Sequence, residues 1–434
     1  MNLPDIKPVQ LIFLVVFGFL AILGLVLFAN FGGFGGNAAK LGTVTIWGTL
    51  PGDSVSSLID SLRRSDQEYT NVSYVQKSDQ TFDTDLAEAI ASGAGPDLIL
   101  ISQEQLLTEK NKLLVIPFST ISERTFISTY LPIDELFLSQ DGTYGIPFAV
   151  DPLVMYYNRS ILSSTGVATP PTSWEAVTSL AQSITQAQGG VITRSTVPFG
   201  VYDNVANARA ILSLLLLQAG NSITNVGTNG ARANLDDGSG STGVTTPAQS
   251  AINFYMQFSD PVKTVYTWNR ALSDARQEFL AGELAFYPGF ASELPGLKAA
   301  NPNLDFDMAA IPQPQTSTQK VTYGRAYAFA IPKASKNAAG AQTVAFALAA
   351  PAQAGAAAQA LSMAPASRTL LQAPNNDRYQ PVYFPQALLA KGWLSPSVQT
   401  TDAIFSTMIG NITSGRMQIG QALDTANQAL NASL

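Results

Sequence analysis

The chain has 434 residues, 46% of them hydrophobic and only 13% charged, so it can bury a large core and should hold two domains or one large bilobal one. Its 24 basic and 31 acidic residues give a net charge of −7 with no Lys/Arg cluster, which argues against a nucleic-acid partner. Cysteine and histidine are both absent, which removes disulfides, thiolate nucleophiles, Ser-His-Asp chemistry and the usual zinc ligands; no metal or cofactor is expected, and catalysis is disfavoured.

The first predicted element is apolar. Leu11 to Ala29 is a run of 19 uncharged residues, and at 1.5 Å rise per residue a helix of that length nearly matches the ~30 Å hydrocarbon core of a bilayer. A cleaved signal peptide has a shorter apolar core and an A-x-A-like site, neither of which fits the FANFGGFGGNAAKLG that follows. The expectation is therefore a cytoplasmic tail over 1–10, an uncleaved transmembrane helix over 11–29, and a Gly-rich linker over 30–42. FGGFGGN does not meet the G-x-G-x-x-G spacing and follows no strand, so it reads as a tether and not as a nucleotide loop.

Beyond the tether the pattern alternates between strand and helix. VTIW (44–47) predicts a short buried strand. Asp53 or Ser54 then caps a helix whose Val55, Leu58, Ile59 and Leu62 form one apolar stripe. A strand at 72–76, a helix over 81–92 and a strand at 97–101 continue the alternation, which implies an α/β fold with a mostly parallel sheet and ligands at the carboxyl ends of its strands. Further on, Thr172-Ser173-Trp174-Glu175 predicts a capping box that opens a helix with Trp174, Val177, Leu180, Ala181 and Ile184 inward. AILSLLLLQAG predicts a helix ending at Gly220, and Thr246-Pro247 opens one with Ile252, Tyr255 and Met256. The polar stretch 229–243 reads as a surface loop, and the alanine-rich 338–360 as a helix.

Taken together, these segments resemble the family 1 extracellular solute-binding proteins of ABC importers, the group that includes maltose-binding protein. The resemblance covers roughly 43–434 and rests on an ordered set: VTIWGT, GPDLIL (95–100), DGTYGIPFAVDPLVMYYNRSIL from Asp141, PPTSWEAV (170–177), FLAGELAFYPGF (279–290), MAAIPQP (308–314), AYAFAIPKASKNAAGAQTVAFAL (326–348) and SGRMQIGQALDTANQAL near the end. It implies a periplasmic-binding-protein-like fold of two discontinuous α/β lobes, 43–148 with 321–372 and 149–320 with 373–434, closing on a ligand in the cleft between them. It further implies a monomer whose large domain lies outside the cell membrane, partnered by importer permease subunits, with a sugar as the expected class of ligand. A sensor or adhesion module with the same fold and no transporter is the alternative.

The resemblance also nominates ligand contacts. Asp151, a single carboxylate in an apolar run, falls at the hinge side of the cleft, where the family's sugar binders place an acid that accepts hydrogen bonds from hydroxyls; capping the turn before Pro152 is its competing role. Trp47, Thr49 and Asp53 match the first strand and the loop after it, and Gln103 and Glu104 match a polar ligand loop, with core packing and a solvated helix start as the plainer readings. Tyr144 could stack or pack. Asn204 and Asn207 lie in a loop whose family counterpart touches ligand, and Tyr287 and Phe290 replace a glycine-proline-tryptophan stretch with flat faces suited to pyranose rings. Arg325, inside an apolar strand, needs a partner if buried, which a ligand oxygen or Asp151 could supply. The sequence departs from the family at Thr401-Asp402, where relatives carry a stacking aromatic, and at Ile101, which replaces a tryptophan. Both argue against an oligosaccharide platform like that for maltose and leave a smaller sugar, a polyol or another polar solute open. Ser317 and Lys320 form a formal S-x-x-K, but they sit in a loop without S-D-N or K-T-G partners, so an enzyme reading has little support.

Overall fold

The computed structural model describes residues 41–227, 230–235, 245–372 and 377–434. The chain enters through β1 (Val44–Gly48), α1 (Gly52–Ser65), β2 (Val72–Gln76), α2 (Phe82–Ala91) and β3 (Leu98–Ser102). β1 pairs in parallel with both β2 and β3, as strands joined through crossover helices do. Every residue of β3 is buried, the signature of a strand covered on both faces, which is why LILIS reads as an unbroken apolar run.

β4 (Ile146–Asn158) leads into α3 (Trp174–Ile184), α4 (Ala208–Gln218), α5 (Pro247–Met256), β5 (Phe286–Phe290), β6 (Phe306–Ala309) and β7 (Thr322–Ala330). Among the described residues the principal sheet has nine strands and runs β5-β4-β7-β3-β1-β2, with β6 also on β4. The 13-residue β4 changes partners midway. Its first half pairs antiparallel with β7, from Phe329↔Ile146 to Gly324↔Pro152, and its second half pairs with β5 and β6 from Leu153 onward. Pro152, which has no N–H to donate, stands at this switch, where the ladder is interrupted anyway. β7 in turn joins β4 to β3, so these two long strands tie both parts of the sheet together.

Longer helices of the last third include α6 (Ala338–Ala349), α7 (Pro351–Leu361), α8 (Val398–Thr413) and α9 (Ile419–Ser433). The predicted helix over 338–360 is thus two helices, bent by 69°. The cause is Pro351: it forces Ala350 out of the helical region to ψ 148° and starts a new helix at its own first position. Two predicted caps also shift. α1 follows Pro51 with no side-chain cap, leaving Asp53 exposed within its first turn. α3 is capped by Ser173, which accepts from the Ala176 N–H, while Glu175 accepts from the Gln315 N–H. Part of the loop expected at 229–243 is a hairpin, Gly230–Ala233 against Thr224–Gly227; residues 229 and 236–243 lie outside the described residues, as do the expected span Leu11–Ala29 and its tether up to residue 40. Among the described residues no single helix is long and apolar enough to cross a membrane.

Candidate functional site

The site is built around one buried carboxylate. Glu104 follows β3 and is 2% exposed. Its oxygens accept from the Arg209 guanidinium, from Arg325 Nε at 3.0 Å and from the Tyr323 hydroxyl. Burial alone would raise its pKa, but Arg209 and then Arg325 outweigh it and hold the group at about 2. Against burial, which works to lower them, Glu104 pushes both guanidinium pKa values further up. Arg209 lies in the first turn of α4, where the helix dipole disfavours a cation. Glu104 on one side and Asp402 of α8, accepting from Arg209 Nε at 3.1 Å, make the position tenable. Asp402 also accepts from the Tyr202 hydroxyl at 2.6 Å. Arg325 is fixed a second way: its guanidinium lies 4.1 Å over the Phe290 ring.

Two cavities flank the cluster and share Arg209 and Arg325 in their walls. One, of about 540 Å³, is lined by Tyr202, Asn207, Asp402 and Ser406 among others. The other, of about 80 Å³, lies toward β1 and β3 and includes Thr49, Ser102, Glu104, Gln105 and Tyr327. A larger cavity of about 770 Å³ between Trp174, Leu215, Phe254 and Pro314 has Glu175 as its only charged lining residue. Convergent polar groups mark a binding site better than size does, so the site is placed at the charged cluster.

Of the residues nominated by the sequence, Thr49, Glu104, Asn207 and Arg325 come to these cavities. The others do not line either one. Asp151, 1% exposed, accepts from the Ser292 N–H at 3.1 Å and the Ser292 hydroxyl at 2.6 Å, and burial, outweighing those bonds, pushes its pKa up to about 7. It is therefore tied to the turn after β5 and not to one before Pro152. Although Arg325 stands opposite Asp151 in the strand register, its ionic partner is Glu104, which corrects the pairing expected from sequence. Glu104 is correspondingly not a solvated helix start. Gln103 is fully buried and bridges to β7, donating to the Gly324 carbonyl and accepting from the Ala326 N–H. Asn204 holds the Asn269 and Leu272 carbonyls and the Trp268 indole N–H. Tyr287, with no exposed surface, stacks on Phe279 and Tyr156 and donates to Glu293, and Phe290 is 2% exposed beneath Arg325; neither offers a free ring face to a solute. The Trp47 ring is covered by Lys77 at 3.8 Å. Tyr144 is half-buried against the core and its N–H donates to Phe137, while Asp53 is on the surface. Ser317 donates to the Gln319 carbonyl within its loop, and Lys320 is exposed.

Sequence reading missed Arg209, Tyr323 and Asp402 as partners in this cluster. The signal for Arg209 was present: a lone guanidinium in ARAILSLLLLQ, buried on nearly every side, needs a counter-charge as Arg325 does.

A sheet in which two long strands tie two α/β parts together beside a charged, partly open cleft defines the class of two-lobed solute-binding proteins. The sequence profile of the bacterial extracellular solute-binding protein family matches residues 65–380, and the chain belongs to that family. A binding protein of Brucella abortus is 26% identical over 252 residues, 55% of this chain and 54% of its own, so the chain spans about half the length of the curated relatives it matches. Among solved structures, the cyclic α-maltosyl-1,6-maltose binding protein from Arthrobacter globiformis superposes with a TM-score of 0.71 at 18% identity, covering 90% of this chain and 98% of that one. The Thermus thermophilus maltotriose binding protein bound with maltotriose gives 0.66 at 15%, covering 90% and 100%. A Thermotoga lettingae ABC transporter solute binding protein bound with α-D-tagatose gives 0.67 at 18%, covering 90% and 99%. At these identities the likeness is one of fold.

Proposed function

We propose that this protein is the extracytoplasmic solute-binding subunit of an ABC importer, capturing a carbohydrate or similar polar solute by closure of two lobes and delivering it to a permease. In this reading 43–148 with 321–372 form the first lobe, 149–320 with 373–434 the second, and β4 and β7 cross between them. The observation that carries it is the Glu104–Arg209–Arg325 cluster. Glu104 follows a first-lobe strand, Arg209 opens a second-lobe helix and Arg325 sits on a crossing strand, so fixed charges from both lobes converge beside open cavities. Closure is then a population shift, because a solute that bonds groups from both lobes stabilises the closed state more than the open one. Thr49, Asn207, Arg209, Arg325 and Asp402 are assigned to contact or orient the solute, and the remaining nominated residues to hold the cleft walls. The sugars bound by the structural neighbours support a carbohydrate. The 19 uncharged residues Leu11 to Ala29 support a membrane anchor, and the chain acts as a monomer. A thermal-shift screen of mono-, di- and oligosaccharides and polyols tests the reading: a true ligand at 100 times its Kd adds about 2.7 kcal/mol of stability. A complete screen without any stabilising carbohydrate or polyol would overturn it.

A further inference from the structure

The smaller cavity carries hydrogen-bonding groups that the protein itself leaves unused. Ser102, Gln105 and Tyr327 are each more than nine-tenths buried, at 5%, 6% and 6% exposure, and all three line it. Ser102 and Tyr327 are register partners on adjacent strands β3 and β7, so their side chains are set by the sheet and not by a loop. Gln105 spends its Oε1 on the Ser102 N–H at 3.1 Å, yet its Nε2, the Ser102 hydroxyl and the Tyr327 hydroxyl make no hydrogen bond among the described residues. Arg325 uses only Nε on Glu104, which leaves the terminal nitrogens of its guanidinium available. These groups line the space and are bonded to nothing among the described residues, so whatever enters it must match their donors and acceptors.

The size of that space limits what enters. At about 80 Å³ it holds a few water-sized groups and is too small for a pyranose ring with its substituents. Its lining mixes hydroxyls, which donate and accept, with the donors of Gln105 and Arg325 and the carboxylate of Asp79. Neutral hydroxyl groups, each a donor and an acceptor, match such a mixture; an ammonium would face the guanidiniums of Arg209 and Arg325, and an anion the carboxylates of Asp79, Asp83 and Glu104, all of which line the space.

We infer that this chamber receives a hydroxymethyl or glycol arm of the solute, with Ser102, Gln105 and Tyr327 as its specificity-determining residues. The inference rests on the carbohydrate-binding reading above and adds to it which end of the solute is inserted and which chemistry is selected. Such a site rejects an analogue that lacks the arm, because its buried groups are then left unpaired.

Calorimetric titration of the full-length chain tests it, using a panel of sugars and polyols, each paired with a counterpart lacking the arm: D-glucose with D-xylose, D-galactose with L-arabinose, and maltose with its 6-deoxy forms. The expected result is that the best-bound member exceeds its counterpart by ten-fold or more. In Tyr327→Phe, which removes a hydroxyl bonded to nothing within the protein, that ratio should shrink three- to ten-fold while the thermal midpoint holds. Ser102→Ala should act in the same direction if Tyr327→Phe disturbs folding. A ratio near one in the unmodified protein, or a Tyr327→Phe variant that weakens both members equally or neither, would overturn the chamber while leaving solute binding in place. Absence of binding by every member of the panel would instead overturn the carbohydrate reading, and the inference with it.

Discussion

Two buried carboxylates, less than fifty residues apart in sequence, meet opposite fates beside the crossing strands. Glu104 and Asp151 are 2% and 1% exposed, and burial pushes both toward the neutral form. Glu104 nevertheless stays ionised far below the usual range, held at about 2, while Asp151 is pushed up to about 7. The difference lies in the contact partner: two guanidiniums on Glu104 against one serine on Asp151, which feels the Arg325 charge without forming an ion pair. A hydroxyl and a backbone N–H soften the cost of a buried charge, whereas opposite charges in contact reverse it. The cation-rich cluster is also the one flanked by open cavities. A single carboxylate in an apolar run is therefore a weaker sign of a binding site than a carboxylate whose surroundings are built to keep it charged.

The largest effect that would break this comparison comes from removing the charged partner. Glu104→Leu leaves Arg325 without a carboxylate and Arg209 with only the half-exposed Asp402, so unfolding by denaturant should show a loss of roughly 3–5 kcal/mol. A loss under 1 kcal/mol would mean the cluster is solvated and the contrast with Asp151 is false.

The pH dependence sharpens the contrast, because the two groups act with opposite sign. Glu104 has a folded pKa of about 2 against a reference of 4.5, so its stabilisation, about 3 kcal/mol by linkage, is present above pH 4.5 and is lost as pH falls through 2. Asp151 has a folded pKa of about 7 against 3.8. Its folded state binds the proton more tightly, and its contribution falls as pH rises from 3.8 to 7. Glu104→Gln should remove the acid-side loss, and Asp151→Asn should remove the decline between pH 4 and 7. Unfolding free energies of both variants across pH 2–8 check this, and slopes unchanged from the parent would contradict it.

A smaller effect is expected of Asp151→Asn at neutral pH. The amide keeps one acceptor for Ser292 and loses the other, a cost of about 1 kcal/mol that shows in acid, while toward pH 7 relief of the burial penalty on the Asp151 charge opposes it. Solute affinity should stay within two-fold, since Asp151 faces Ser292 and neither cavity.

The architecture was largely legible in the sequence. The strands at 44–47, 72–76 and 97–101 and the long strand through Asp151 announce themselves as short apolar runs bounded by turns, and the ordered segments placed the chain in its family. The site was legible only in part. Arg325 was suspicious because a charge in an apolar strand needs a partner, but that partner lies 221 residues away in sequence, and Arg209 lies 105 from it. Periodicity reports which face of an element is buried and carries no information on which distant charge it will meet. Tyr287 and Phe290 show the converse limit: an aromatic at a strand end can serve core or cleft, and here the stacked rings of Tyr156, Phe279 and Tyr287 took the core.

The central claim is that solute is held at the Glu104–Arg209–Arg325 cluster and not at Asp151. Calorimetric titration of the best ligand from the screen into the parent protein, Arg325→Gln and Asp151→Asn tests it most directly. The account predicts that Arg325→Gln, losing charge-assisted bonds of roughly 1.5–3 kcal/mol, binds at least ten-fold more weakly, while Asp151→Asn binds as the parent does. Ten-fold weakening in Asp151→Asn with affinity retained in Arg325→Gln would contradict it and move the site toward Asp151 and Ser292.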